Sequence, residues 1–224
     1  MKNSLLPVFF LISIAYVVSK MTAYDPLALV AKPLLMPALA AWFARETRGQ
    51  PARFLRREIL AGLAFATVGD TLLLFSGPLF FMLGLGAFLF THLFYTGGFW
   101  AVAGIQKGFL RRKIWWILPF AVFLAWFLQW LWPGIPPGMR LPVSVYSAVI
   151  SIMVLSILNL KDRIGGKVFR PMLAGGLLFM LSDSLIAVYK FGNVAGEAGL
   201  AVMITYIAGQ FLIVKSARDI LRDL

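Results

Sequence analysis

A chain of 224 residues in which 61% are hydrophobic and 13% are charged is no ordinary soluble domain, where about a quarter of residues carry charge. The net charge of +12 does not indicate a nucleic-acid binder, because the basic residues sit in short segments between apolar runs. The absence of cysteine excludes disulfides, thiolate metal sites and a Cys nucleophile, and a single histidine argues against the multi-histidine sites that zinc favours.

The apolar runs are roughly 17 to 22 residues long, the length that crosses a bilayer core as helix. They predict an all-α polytopic membrane protein: a bundle of eight transmembrane helices filling residues 1–224 as one transmembrane helical domain. The first run, 4–19, follows a Lys like the core of a signal peptide. It is long enough to span and no clear small-x-small cleavage site precedes Lys20, so it reads as a retained first span. The second, 26–44, contains AKPLLMP, with Lys32 beside Pro33 and Pro37; the prolines kink the helix and free backbone carbonyls near the lysine. The third, 59–76, contains AFATVGDTLLLF, a greasy stretch with Asp70 in its middle. A tight Ser76-Gly77-Pro78 turn leads into the fourth, 78–99, where FLFTHLFY puts His92 and Tyr95 one turn apart on one helix face.

The fifth run, 114–132, has Trp115, Trp116, Trp130 and Trp132 near its ends, as interfacial anchors. PGIPPGMR, a rigid connection, leads to the sixth, 141–160, with Tyr146 and Asn159. The seventh, 170–189, contains LFMLSDSLIAV, in which Ser182 and Asp183 repeat the small-then-acid pattern of the third span. The eighth, 195–215, carries Tyr206 and Gln210.

Charge distribution tests the count. With eight spans, both termini and the 2–3, 4–5 and 6–7 loops share one side, and that side collects 17 of the 21 basic residues. The other side has Lys20, Arg140 and Lys190, and Lys32 lies within a span. The positive-inside rule therefore makes both termini cytoplasmic, and the expected location is a bacterial inner membrane. The arginine-rich loops read as ordinary cytoplasmic retention signals, with lipid-headgroup contact a minor alternative. Eight spans also divide into two sets of four in the same orientation. VGDTLLL and LSDSLIA occupy equivalent spans, so a parallel four-helix internal repeat is a further expectation.

Ionisable groups within a span are costly and usually face the bundle interior. At 1.5 Å per helical residue, Asp70, 12 residues past Glu58, is roughly 18 Å from the cytoplasmic edge, and Asp183, 13 past Arg170, roughly 20 Å. Lys32, coming from the outer side, reaches a similar depth, roughly 20 Å. Tyr146 and Tyr206 lie near this layer; His92, Tyr95, Gln210 and Asn159 lie nearer the cytoplasm. Structural readings stand beside functional ones. Asp70 and Lys32 can form a register-fixing ion pair, Asp183 can be satisfied by Ser182 and backbone, His92 can be a hydrogen-bonded interior residue, and the tyrosines can be packing residues.

No nucleophile elbow, P-loop, dinucleotide fingerprint or metalloprotease helix occurs. Two carboxyls in a low-dielectric cavity, however, divide their protons: one holds a proton while the other, with Lys32 nearby, stays ionised. One acid and one base suit hydrolysis of an acid-labile bond.

AKPLLMP, GDTLLL, FMLGLGAFLFTHLFY from Phe81 to Tyr95, LSDSLIAVYKF from Leu181 to Phe191 and TYIAGQFLI near the C-terminus together resemble the YhhN family of membrane proteins, which includes the lysoplasmalogenases. The stretches follow family order over most of the chain. The resemblance implies an eight-span bundle that hydrolyses the vinyl ether bond of a lysolipid to a fatty aldehyde and a glycerophospho-base, with Asp70 and Asp183 as the paired acids. Lys32, His92, Tyr95, Ser182, Tyr146, Tyr206 and Gln210 are candidate substrate-binding residues. No metal or cofactor is expected, and lysolipid and membrane lipid are the expected partners. The alternative is a transporter or flippase for a lipid or small solute, since midplane charges on kinked helices are also transporter features.

Overall fold

The computed structural model describes residues 5–22, 25–50, 52–104, 108–192, 194 and 199–223. Among these residues every regular element is helical: α1 Leu6–Met21, α2 Asp25–Glu46, α3 Arg53–Leu72, α4 Pro78–Ala103, α5 Phe109–Arg112, α6 Leu118–Leu131, α7 Pro137–Leu158, α8 Gly166–Phe191 and α9 Gly199–Asp223. Among the described residues six helical stretches are long and apolar enough to cross a membrane. They lie in α2, α4, α6 with the turn before it, α7, α8 and α9, and make this a multi-pass membrane protein. Of the other two expected spans, α1 is apolar but has 16 residues, and α3 has Arg53, Arg56, Arg57, Glu58 and Asp70 among its 20.

Helix boundaries depart from the apolar runs in instructive ways. α3 starts at Arg53, not 59, because its first two turns are already amphipathic: Leu55, Glu58 and Ile59 are buried while Arg53, Phe54 and Arg57 face outward. Long arginine stems let such turns continue a span beyond its apolar stretch. The fifth run is not one helix from its start. Ile114–Ile117 form a 3₁₀ turn and α6 begins at Leu118, with a proline in its first helical positions. Neither Pro33 nor Pro37 breaks α2. Each removes one N–H, so the carbonyls of Leu29 and Pro33, one turn back, lack their helical donors. At the Ser76-Gly77-Pro78 turn Gly77 has φ 113°, a backbone region that favours glycine, and α4 starts at the proline.

The chain forms two compact units. The first comprises Met1–Gly98 and Val214–Leu224. In it α1 packs on α2 and α2 on α3. α3 meets α4 through small residues. A Cβ at Gly62 would overlap the Tyr95 ring, one at Gly69 would lie 2.7 Å from the Phe88 ring, and Ala66 between them is fully buried. Such a stripe lets helices approach closely where hydrophobic burial gives no net drive. The Thr91 hydroxyl donates across the crossing to Gly62 O at 3.1 Å. The end of α9 is fastened to α2: Arg222 donates to the Glu46 carboxylate at 2.5 Å, and the Arg218 guanidinium lies 5.1 Å from the Trp42 ring centre. These contacts carry α9 to Asp223, past the apolar run that ends near 215.

The second unit is Phe99–Ile213. α7 packs on α8, with Gly176 making room for Ile157. α8 and α9 cross backbone to backbone: a Cβ on Gly209 would stand 2.9 Å from Phe179 N and 3.0 Å from Gly175 O. Asn159, just past α7, holds α5 through its backbone carbonyl (from Phe109 N, 3.2 Å) and its side-chain oxygen (from Leu110 N, 2.9 Å).

Candidate active site

In the first unit the buried face of α3 runs Leu55, Glu58, Ile59, Gly62, Leu63, Ala66, Gly69, Asp70. This is the three-and-four spacing of a single helical stripe, so Asp70 continues the packed face rather than turning to lipid. It is 2% exposed, while Val68, on the far side, is 49% exposed. Lys32 on α2 is half-buried, and its charge interacts with that of Asp70. His92 and Tyr95 are fully buried on α4. Tyr95 fills the α3–α4 crossing against Gly62, so its ring has a packing role whatever else it does.

In the second unit Asp183 and Tyr146, assigned to a similar depth from sequence, meet. The Tyr146 phenol on α7 donates to the Asp183 carboxylate on α8 at 2.5 Å. The tyrosine is buried and the aspartate half-buried. The contact ties the Asp183 carboxyl to α7. Ser182, beside it, turns the other way and donates to Val202 O on α9 at 2.9 Å. Ser182 therefore ties α8 to α9 and does not satisfy Asp183 by this bond. Tyr206 packs edge-on against Phe179, ring centres 5.4 Å apart. Gln210, one turn further along α9, is fully buried.

Two polar residues escaped the sequence reading as candidates. Thr91 precedes His92 and bridges α4 to α3. Glu58 is buried on the same stripe as Asp70, and its carboxylate accepts from Arg57 at 3.1 Å. The signal for Glu58 was available: it begins the three-and-four spacing that runs through Gly62, Ala66 and Gly69 along the buried stripe of α3. Among the described residues no cluster of three or more His, Cys, Asp or Glu could hold a metal ion.

The acids on α3 and α8 gain meaning from comparison with other proteins. A family model for YhhN proteins matches residues 27–217. The chain belongs to the YhhN family. It is 30% identical over 187 residues to a protein of Mycobacterium tuberculosis named lysoplasmalogenase, covering 81% of this chain and 68% of that one. It is 34% identical over 161 residues to human lysoplasmalogenase TMEM86B, covering 71% and 63%, and 30% identical over 162 residues to lysoplasmalogenase TMEM86A of Bos taurus, covering 71% and 64%. These YhhN relatives place the chain among enzymes, and it spans about two thirds of their length. No solved structure matches the chain.

Proposed function

We propose that this YhhN protein is a lysoplasmalogenase-like hydrolase that cleaves the vinyl ether bond of an alkenylglycerophospho-ethanolamine or -choline. Asp70 and Asp183 act as general acid and base. The observation that carries this reading is that both acids of the shared GDT and SDS patterns lie within helices, Asp70 buried on the packed face of α3 and Asp183 held by the Tyr146 phenol of the neighbouring helix. The names of the relatives support the same bond.

The chemistry asks little more. One carboxyl gives its proton to the β-carbon of the vinyl ether, and the electron pair of the double bond forms the new C–H bond. The resulting oxocarbenium ion is stabilised by the ionised carboxylate, which also takes a proton from the water that adds to the α-carbon. In the collapse of the hemiacetal its hydroxyl returns a proton to the first carboxylate while the second carboxyl gives its proton to the departing glycerol oxygen; the C–O bond breaks, a fatty aldehyde leaves and both groups regain their starting states. The balance is one water consumed, with no oxidant or reductant.

The reading includes eight spans, with α1 and α3 crossing alongside the six apolar stretches, both termini in the cytoplasm, a parallel four-helix repeat, and a bacterial inner membrane as the site of action. Reporter fusions after Gly49, Gly108 and Gly165 are expected to read cytoplasmic, and a periplasmic signal from any one would break this topology.

Substrate tests the function. Purified protein in detergent, where no gradient exists, is expected to release long-chain aldehyde from a 1-alkenyl lysolipid without added metal or nucleotide. The 1-alkyl ether has no double bond to protonate and should be inert. Fatty acid released from the 1-acyl lipid at an equal or greater rate would make the protein an esterase, and lipid-dependent stabilisation with no product from any lipid would make it a transporter.

Tyr146→Phe removes one hydroxyl and leaves the ring. Loss of one buried hydrogen bond costs about 0.5–1.5 kcal/mol of stability, so the thermal midpoint in detergent is expected to fall modestly, and turnover to fall as Asp183 loses the contact that orients it. Unchanged turnover would assign the phenol to packing alone.

A further inference from the structure

The turn between α2 and α3 carries more positive charge than membrane orientation requires, and the arginines surround a hollow. Arg48, Gly49, Gln50, Arg53, Arg56 and Arg57 line a cavity of about 460 Å³. Two of these arginines are committed to the protein. Arg56 donates to Thr47 Oγ1 at 3.1 Å and to Ala44 O at 3.2 Å, closing the end of α2, and Arg57 is paired with Glu58. The side chains of Arg48 and Arg53 are exposed and, among the described residues, make no ion pair or hydrogen bond. Four guanidiniums thus meet one carboxylate. The N-terminus of α3 opens beside them with Ala52 at its cap, no side-chain cap and no acid in its first turn, so its N–H groups and positive dipole end add to the same field.

The occupant follows from what lies beside the cavity. Phe54, next to the lining Arg53, is 47% exposed, and the guanidinium of the lining Arg57 lies 5.1 Å from its ring centre. A ligand held by these forks has an exposed apolar ring beside Arg57. Guanidiniums take phosphate in paired hydrogen bonds, and the exposed ring suits the hydrocarbon adjoining a lipid phosphate. We propose that this cup binds the phosphodiester headgroup of an anionic phospholipid. It is separate from the reacting centre: Arg56 precedes Asp70 by 14 residues of one helix, about 21 Å, too far for the phosphate and vinyl ether of one lysolipid to bridge.

The test uses the intact chain in detergent and native mass spectrometry with phosphatidylglycerol or phosphatidylcholine as probe. The variant is Arg48→Gln with Arg53→Gln, whose side chains hold nothing in the fold. The control is Lys167→Gln with Arg170→Gln, exposed at the start of α8, which removes equal charge. The expected result is retention of phosphatidylglycerol over phosphatidylcholine, at least about tenfold weaker in the Arg48/Arg53 variant and unchanged in the control. Equal weakening in both variants would overturn the site in favour of a diffuse basic face. Inorganic phosphate that competes at millimolar concentration, with no preference for phosphatidylglycerol, would overturn the lipid assignment. Equal retention of the two lipids by the unmodified chain would overturn it as well.

Discussion

Asp70→Asn and Asp183→Asn are each expected to abolish aldehyde release while leaving a folded protein. General acid–base steps contribute about 10² to 10⁴ in rate, and an amide of nearly the same volume keeps the packing but moves no proton. At position 183 the amide oxygen can still accept from Tyr146, so the α7–α8 contact survives. At position 70 the substitution also strands the Lys32 ammonium, and an uncompensated charge inside the protein is destabilising. The companion variant Asp70→Asn with Lys32→Met removes that penalty. It should recover thermal stability but not turnover. Recovery of turnover would make Asp70 a partner for the lysine and nothing more. Residues that act as one unit are also non-additive, so the double Asp→Asn variant should be no slower than the worse single one. A further large drop would mean that the two acids serve independent steps.

The second large effect is structural. Gly209→Leu is expected to force α8 and α9 apart, because the new side chain would meet Phe179 N and Gly175 O, both backbone atoms. Overpacking typically costs about 1–3 kcal/mol and sometimes more, and here no flexible neighbour can yield. The same displacement would pull on the Ser182 hydroxyl bonded to Val202 O and hence on the residue beside Asp183. Loss of both thermal stability and turnover is the expected result. A variant with native stability would show that the crossing is looser than the backbone distances indicate.

The two acids stood out as candidates in the sequence because charge in an apolar run is expensive. Counting residues along helices was enough to bring Tyr146 to the level of Asp183, since helical rise is nearly constant. The same counting could not choose among the tyrosines. Tyr146 meets a carboxylate, Tyr95 fills the space left by Gly62, and Tyr206 packs on Phe179; which neighbour each one meets depends on crossings made elsewhere. Gly62, Gly69, Gly175 and Gly209 are silent in hydropathy, yet they set those crossings. The start of α3 was misjudged for a related reason. Arg53, Arg56, Arg57 and Glu58 read as a loop by charge, whereas the buried Leu55, Glu58 and Ile59 between them already follow helical spacing. Ser182 was a candidate substrate-binding residue, with satisfaction of Asp183 as a structural alternative; adjacent helical residues point about a hundred degrees apart, and its hydroxyl binds α9.

The most direct test of the central claim, that a carboxyl within the helices protonates the alkenyl carbon, follows the hydrogen itself. A 1-alkenyl lysolipid is hydrolysed in deuterated water by the purified protein, and the aldehyde is reduced as it forms so that later exchange is prevented. Carbon 2 of the product chain should carry one deuterium, the reaction should be slower than in ordinary water, and neither Asp70→Asn nor Asp183→Asn should yield product above the uncatalysed level. Aldehyde lacking deuterium at carbon 2, or formed at the same rate by the aspartate variants, would contradict the account.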